Sequence, residues 1–388
     1  MHIYAMSDLH VHCEEQPYLF TKEKETIFAR VASEILETES QLVIGGDCFD
    51  FTGMQSPKYG HRAFFEEIFS PTQMNHPEIL QALASSDRRT QLLGIRDRFP
   101  IFFNNLASLV RQGKLIMIAG NHDCELRSEE VQLILADVLE VAPEALQFRD
   151  QLRVGEVLFA THGHQFDPSN QTDSSCDSRG VAITAALYKA LMPALRVFGV
   201  PETIVYAIPA VRPEEMVIRG IKQYLGEKDA NRLVAAFIAL IAKNGYFRGL
   251  KRALMLALTY PIPGLSRTLR GYLTPEHLAR ALPDDSGMKA HVREEAERLY
   301  LQQTPRPRAV VLGHTHELDC SEHYLNLGTW IDHITGVSLD HLEAADNSLP
   351  VLRTDKNEHG SEALVLHDAR DLKLVSELKQ CRKIFSIS

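Results

Sequence analysis

Apolar residues follow two rhythms along this chain. Short, mainly apolar stretches lie at 2–7, 41–45, 114–119, 152–161, 308–312, 324–327 and 363–366. Such a run fits a strand covered on both faces. Between the first two, Ile27, Val31, Ile35 and Leu36 recur at helical spacing over 22–38. That order predicts a β-α-β unit with parallel strands and a right-handed crossover. Helices are predicted over 89–112 and near 128–139, and a short strand near 146–149. Residues 51–88, with Pro57, Pro71 and Pro77, break the rhythm and read as an irregular excursion over the site or a small subdomain. From about 165 to 307 a polar loop gives way to helices punctuated by Pro193, Pro201, Pro209 and Pro213, including segments at 231–243 and 246–258.

Polar residues at the ends of the runs give this pattern its chemistry. After Leu42-Val43-Ile44, Gly45 and Gly46 let the backbone turn, and Asp47 and Asp50 follow. In open α/β sheets ligands collect outside the carboxyl ends of strands. Four more ends are similarly furnished: Asp8 and His10; Asn121, His122 and Asp123; His162 and His164; His314 and His316. One such residue alone is better read as a helix cap or a satisfied buried histidine. Five sets in register with five runs point to one shared site, and mixed carboxylate, amide and imidazole donors suit borderline divalent metals.

Asp8-Leu9-His10, Gly46-Asp47-Cys48-Phe49-Asp50, Gly120-Asn121-His122-Asp123, His162-Gly163 and Gly313-His314-Thr315-His316 together resemble the signatures of the calcineurin-like metallophosphoesterase superfamily. The resemblance implies an α/β fold, a four-layer sandwich of two mixed β-sheets flanked by helices. Its core would span 1–165 and 308–370, with a helical cap at 166–307 and a tail at 371–388. It implies two divalent cations, manganese first and iron, zinc or cobalt as alternatives. Asp8, His10, Asp47 and His316 would hold one, and Asp47, Asn121, His162 and His314 the other, with Asp47 as the bridge. Two cations can share a hydroxide, lower its pKa and stabilise charge developing on phosphorus. By the same resemblance His122 protonates the leaving oxygen and Asp50 orients it. Asp123 reads as a backbone cap with a candidate supporting role. His12 and His164 are candidate substrate contacts or supports for the ligands, or else satisfied histidines.

The activity implied is hydrolysis of a phosphomonoester, phosphodiester or pyrophosphate bond in a small molecule. Phe51-Thr52 stands where the protein Ser/Thr phosphatases of the superfamily carry Arg-Gly. His122 stands where UDP-2,3-diacylglucosamine pyrophosphatases typically carry Arg, although those enzymes share a helical lid in the same place. A nuclease or nucleotide phosphodiesterase is the alternative, and a scaffold without catalysis a third reading.

Composition narrows the choice little. At 388 residues, 45% hydrophobic and 24% charged, the chain is ordinary for a globular protein. A net charge of −10 disfavours nucleic acid as a partner. Yet 186–280 holds 14 Lys and Arg against six Asp and Glu, with Lys243, Arg248, Lys251, Arg252, Arg267 and Arg270 near an apolar face. That basic helical segment suits an amphiphilic phosphate substrate or peripheral contact with an anionic membrane; a plain packing or dimer surface is an equal alternative. The first residues show no leader, and the apolar run Leu233–Ala242 is too short to span a bilayer, so a cytoplasmic protein is expected. Six scattered cysteines without a Cys-x-x-Cys pair are expected to be reduced thiols.

Overall fold

The computed structural model describes residues 2–14, 17–52, 60–172, 176–211, 215–243, 285–336, 342–344, 349–356 and 362–370. Alternation along its first strand, β1 (His2–Met6), shows how the layers arise. Ile3 and Ala5 face one way and Tyr4 and Met6 the other, as period-two geometry requires. Strands β2 (Ser40–Ile44), β3 (Leu115–Ile118) and β4 (Phe148–Arg149) run parallel to it in turn. On its other edge come β12 (Pro350–Lys356) and β13 (Glu362–Asp368), both in antiparallel pairings. The order of this six-stranded sheet is β13-β12-β1-β2-β3-β4.

The second sheet has five strands. β5 (Gln151–Val154), β6 (Leu158–Thr161), β7 (Ala309–Leu312), β8 (Leu318–Cys320) and β9 (Tyr324–Leu327) are ordered β5-β6-β7-β9-β8. Its three central strands are parallel and both edges antiparallel. A small hairpin, β10 (Ile334–Gly336) with β11 (Leu342–Ala344), stands apart.

Between the sheets Ile3, Ala5, Val43, Ile116 and Ile118 pack against Leu158, Ala160, Ala309, Val311 and Leu325. The outer face of the first sheet is covered by helices Lys22–Glu37 and Pro100–Arg111, through Phe28, Phe102 and Leu106. Helix Asp285–Gln302 covers the second sheet, seating Val292, Ala296 and Tyr300 on Phe159, Val310 and Tyr324. The protein is therefore α/β, with two mixed sheets face to face and helices outside both.

Several elements differ from the sequence expectations. Residues 60–83 are helical rather than irregular, with helices His61–Ile68 and Pro77–Leu83. They share one apolar cluster with the helices after 179: Phe64, Phe65 and Ile79 lie with Leu191, Leu195, Val205, Phe237 and Ile241. The excursion and the insertion thus build a single helical body. The helix expected over 89–112 is two, Arg88–Arg98 and Pro100–Arg111. Phe99 is non-helical, and Pro100 starts the second helix where its missing N–H is not needed. The run at 152–161 is a hairpin turning at Gly155, whose φ is 51°. β12 was not anticipated, because Arg353 and Asp355 interrupt its apolar run. Residues 231–243 belong to Glu215–Lys243, a helix kinked at Gly226; the segment 246–258 and most of the basic cluster lie outside the described residues, as does the tail at 371–388.

The helical stretch Arg179–Val197 is apolar and long enough to cross a bilayer by composition, but 56% of it is buried in the protein. It contains a π turn at Leu187–Leu191. The cysteine expectation holds for Cys13 and Cys48, which are free thiols, and is overturned for three others. Cys124 and Cys176, 52 residues apart with Cα atoms 5.5 Å apart, form a disulfide, and Cys320 is also disulfide-bonded. Only the fold brings such distant positions together. Disulfides favour oxidising compartments, so cysteine usage no longer supports the cytoplasmic expectation.

Candidate metal centre

Register places the site. Met6, Ile44 and Met117 stand in one row across the first sheet, and Ala160, Val311 and Leu325 in one row across the second. The segments that follow therefore leave the two sheets at common ends. Backbone hydrogen bonds then knit them together: Asp8 N–H donates to Gly46 O, His10 N–H to Asp47 O, and Gly313 N–H to His162 O. Across the sandwich His314 N–H donates to the Asp8 carboxylate at 3.1 Å.

These loops hold Asp8, His10, Asp47 and His316 so that one ligand atom from each lies within 4.8 Å of all the others. His10 Nε2 is 3.1 Å from His316 Nε2, and Asp8 Oδ1 is 3.3 Å from His316 Nε2. On the far side of Asp47, His162 Nε2 lies 3.2 Å from Asp47 Oδ2 and 3.2 Å from Asn121 Oδ1. His314 is adjacent, its ring centroid 5.4 Å from that of His162. All seven positions expected to be ligands thus converge, with Asp47 between the two groups.

Three features of the site fit divalent cations. Asp8, Asp47, Asp50 and Asp123 are all at most 2% exposed, a concentration of buried carboxylate that requires paired or coordinating partners. Asp47 Oδ1 accepts from His122 N–H at 2.8 Å, while the buried Oδ2 faces two imidazoles, 3.2 Å from His162 Nε2 and 3.8 Å from His10 Nε2. Five of the seven non-glycine residues with positive φ among those described are Asp8, His10, Asp47, His314 and His316. Left-handed backbone is unfavourable for L-residues and gathers at ligand clamps.

Charge coupling is strong. Burial opposes ionisation of Asp8, but the facing His162, His10 and His316 reverse that and hold its pKa low. Asp47 is likewise driven well below the ordinary range by His162 and His122 against its burial. Burial disfavours protonation of His162; Asp47 and Asp8 prevail and lift its pKa to about 9.

His122 stands apart from the seven expected ligands. Its Nδ1 is 2.9 Å from Asp50 Oδ1, and its side chain is 15% exposed where most neighbours are sealed. Burial would lower its pKa, but Asp50 and Asp47 raise it to about 9. Asp50 itself is held low, His122 and His10 overcoming its desolvation. His10, Asp50 and His122 also form a group with metal-ligating spacing, within which His122 Nδ1 is paired with Asp50.

The supporting residues divide. Asp123 accepts from Gly120 N–H and Cys48 N–H at 2.7 Å each and from Phe49 N–H at 3.3 Å, tying the loop after β3 to the loop after β2 as a cap. His12 accepts from Glu14 N–H through Nδ1 at 2.9 Å and stacks on Tyr188 of the insertion; its Nε2 is buried without a hydrogen-bond partner. His164 Nε2 accepts from Arg127 Nη2 at 3.3 Å. Burial and the neighbouring His162 and His314 push its pKa far down, leaving it neutral.

Two residues escaped the sequence reading. Asp167 Oδ2 lies 3.1 Å from His314 Nε2, and Asn170 Oδ1 accepts from Asn121 Nδ2 at 3.5 Å. Their only signal was two polar residues three apart in a loop that is polar throughout. No family model matches this chain, and no curated protein matches it.

Proposed function

We propose that this protein is a dinuclear metal-dependent phosphoester hydrolase of the calcineurin-like metallophosphoesterase kind. One observation carries the reading: the ends of five strands from two sheets bring Asp8, His10, Asp47, Asn121, His162, His314 and His316 together, with the His122–Asp50 pair beside them. The five motifs, in order and with matching residue types, support it independently. Asp8, His10, Asp47 and His316 would hold one cation, and Asp47, Asn121, His162 and His314 the second. When bound, the pair supplies an activated hydroxide and neutralises charge on the phosphoryl oxygens.

The chain's own residues account for the rest. Asp50 Oδ1 accepts a hydrogen bond from His122 Nδ1–H at 2.9 Å, which fixes the ring and leaves Nε2 to act on the substrate. Protonated at neutral pH, His122 gives its Nε2 proton to the leaving oxygen as the bond to phosphorus breaks. Burial of Asp8 and Asp47 strengthens every charge interaction by excluding water. The substrate class supported by the basic, apolar insertion is an amphiphilic or nucleotide-linked phosphoester. Retention of every ligand position together with His122 weighs against a scaffold.

The test is metal analysis of the purified chain with assay of aryl phosphate mono- and diesters in added manganese. Two cations per chain and hydrolysis abolished by chelator are expected. Two bound cations with neither ester hydrolysed would leave a metal site and overturn the hydrolase.

A further inference from the structure

Coordination requires each ligand to present a lone pair, and for two ligand types orientation is ambiguous. An asparagine must offer its oxygen rather than its NH2, and a histidine must leave one ring nitrogen unprotonated. In this protein a single loop resolves both choices on the same side of Asp47. We propose that Asp167 and Asn170 are positioning residues that preset Asn121 and His314 for the second cation, an inference that rests on the dinuclear reading.

His314 places Nε2 at 3.1 Å from Asp167 Oδ2. A carboxylate there takes the Nε2 proton in hydrogen bond and leaves the Nδ1 lone pair for a cation, the arrangement by which carboxylates orient and strengthen metal-ligating imidazoles. Asn121 donates from Nδ2 to Asn170 Oδ1, which turns its own Oδ1 toward His162 at 3.2 Å. Asp167 and Asn170 are themselves coupled. Asn170 Nδ2 donates to Asp167 Oδ2 at 2.6 Å, and Ser169 N–H donates to Asp167 Oδ1 at 2.8 Å. Asp167 is 3% exposed, so its carboxylate is held by these partners rather than by water.

The loop is pinned at both ends. On one side the Cys124–Cys176 disulfide ties it to the segment that carries Asn121. On the other, Gly180 N–H donates to Ser169 O, and a Cβ at Gly180 would lie 1.8 Å from Asn170 Oδ1. Glycine at 180, in the first helix of the insertion, is therefore what admits Asn170 to its place. The side-chain contacts of Asp167 and Asn170 run to His314 and Asn121, both proposed for the second cation, so the effect is expected at that cation.

The experiment loads metal-free wild type, Asp167→Ala, Asp167→Asn, Asn170→Ala and Gly180→Ala with Mn(II) alone. It follows stoichiometry by mass spectrometry of the native protein and cation coupling by electron paramagnetic resonance. Wild type should take up two cations and give the spectrum of an exchange-coupled pair. In Asp167→Ala one cation should bind about 10–100-fold more weakly, and the coupled signal should give way to that of isolated Mn(II). Asp167→Asn, whose Oδ1 still accepts from Nε2–H, should recover part of the loss. Gly180→Ala should behave as Asn170→Ala does, although it touches no ligand. Equal weakening of both cations, with a lower melting temperature of the metal-free variant, would mean a structural role and overturn the positioning. Unchanged affinity for both cations in Asp167→Ala would overturn it as well. A wild type that binds no Mn(II) would instead overturn the dinuclear reading on which it stands.

Discussion

Asp47 and His122 sit within one hydrogen bond of each other, yet the proposed mechanism gives them separable tasks. His122 N–H is spent on Asp47 Oδ1 while its ring is held by Asp50. Asp47→Asn is therefore expected to lose cations and turnover together. His122→Ala should keep both cations while turnover falls about 10²–10⁴-fold. Metal content and steady-state rates of the two variants check this, and a His122 variant with normal turnover excludes it as the acid. The second prediction concerns protons. In the metal-free protein His122 and His162 titrate near 9, because neighbouring aspartates outweigh burial, against 6.5 unperturbed. Their folded-state pKa is raised, so their stabilisation is full below about pH 6.5 and is lost as pH climbs through about 9. His162 must also shed its proton to coordinate. Cation uptake at pH 7 should release protons and tighten as pH rises toward 9, measurable by calorimetry in buffers of different ionisation enthalpy. Uptake without proton release would remove His162 from the ligand set.

At the scale of elements, the parallel strands and their exits were legible because apolar runs and the polar residues after them are local signals. The proposed ligand positions followed from those exits. Asp167 and Asn170 were not legible, since their significance lies in contacts reaching 147 and 49 residues along the chain. The disulfide was hidden for the same reason. β12 was missed because Arg353 places its side chain beside Glu34 and breaks the apolar run. Helices at 60–83 were obscured by prolines, of which Pro77 starts a helix rather than preventing one. The exits also make their glycines unequal. An added Cβ at Gly120 would lie 2.0 Å from Asp47 Oδ1 and 2.6 Å from its backbone nitrogen. Gly120→Ala should therefore cost at least about 1–3 kcal/mol in chemical denaturation and cations as well. Gly113 has φ of 65° but nothing within 4 Å of an added Cβ, so Gly113→Ala should cost about 1–2 kcal/mol and leave cation binding intact.

Across the whole molecule, the centre is also a fastening. It joins loops from both sheets, including contacts between Asp8 and His314, 306 residues apart. A ligand that binds only the folded state stabilises by mass action, about 2.7 kcal/mol at one hundred times its dissociation constant. Chelation should thus lower the melting temperature by several degrees, and scanning calorimetry with and without chelator would register it. Unchanged melting in a chain shown to bind two cations would mean that the sites persist in the unfolded state. The helical body built from 60–83 and the insertion has its own apolar cluster, and stepwise melting with the chelator-sensitive step in the sheets is the expected form.

The pairing of β1 with β12 carries a consequence for how the protein is made. Tyr4 and Ala5 find their partners in Arg353 and Leu352, so β1, the strand that leads to Asp8, is covered only after residue 353 has emerged from the ribosome. Until then β1 presents an uncovered edge, the kind of surface that recruits foreign strands. The last proposed ligand, His316, is also synthesised late, after the long helical insertion. A nascent chain can fold its first β-α-β unit early, but it cannot hold two metals at the proposed centre. A chain ending near residue 340 would contain every proposed ligand but lack β12, leaving the edge of β1 uncovered.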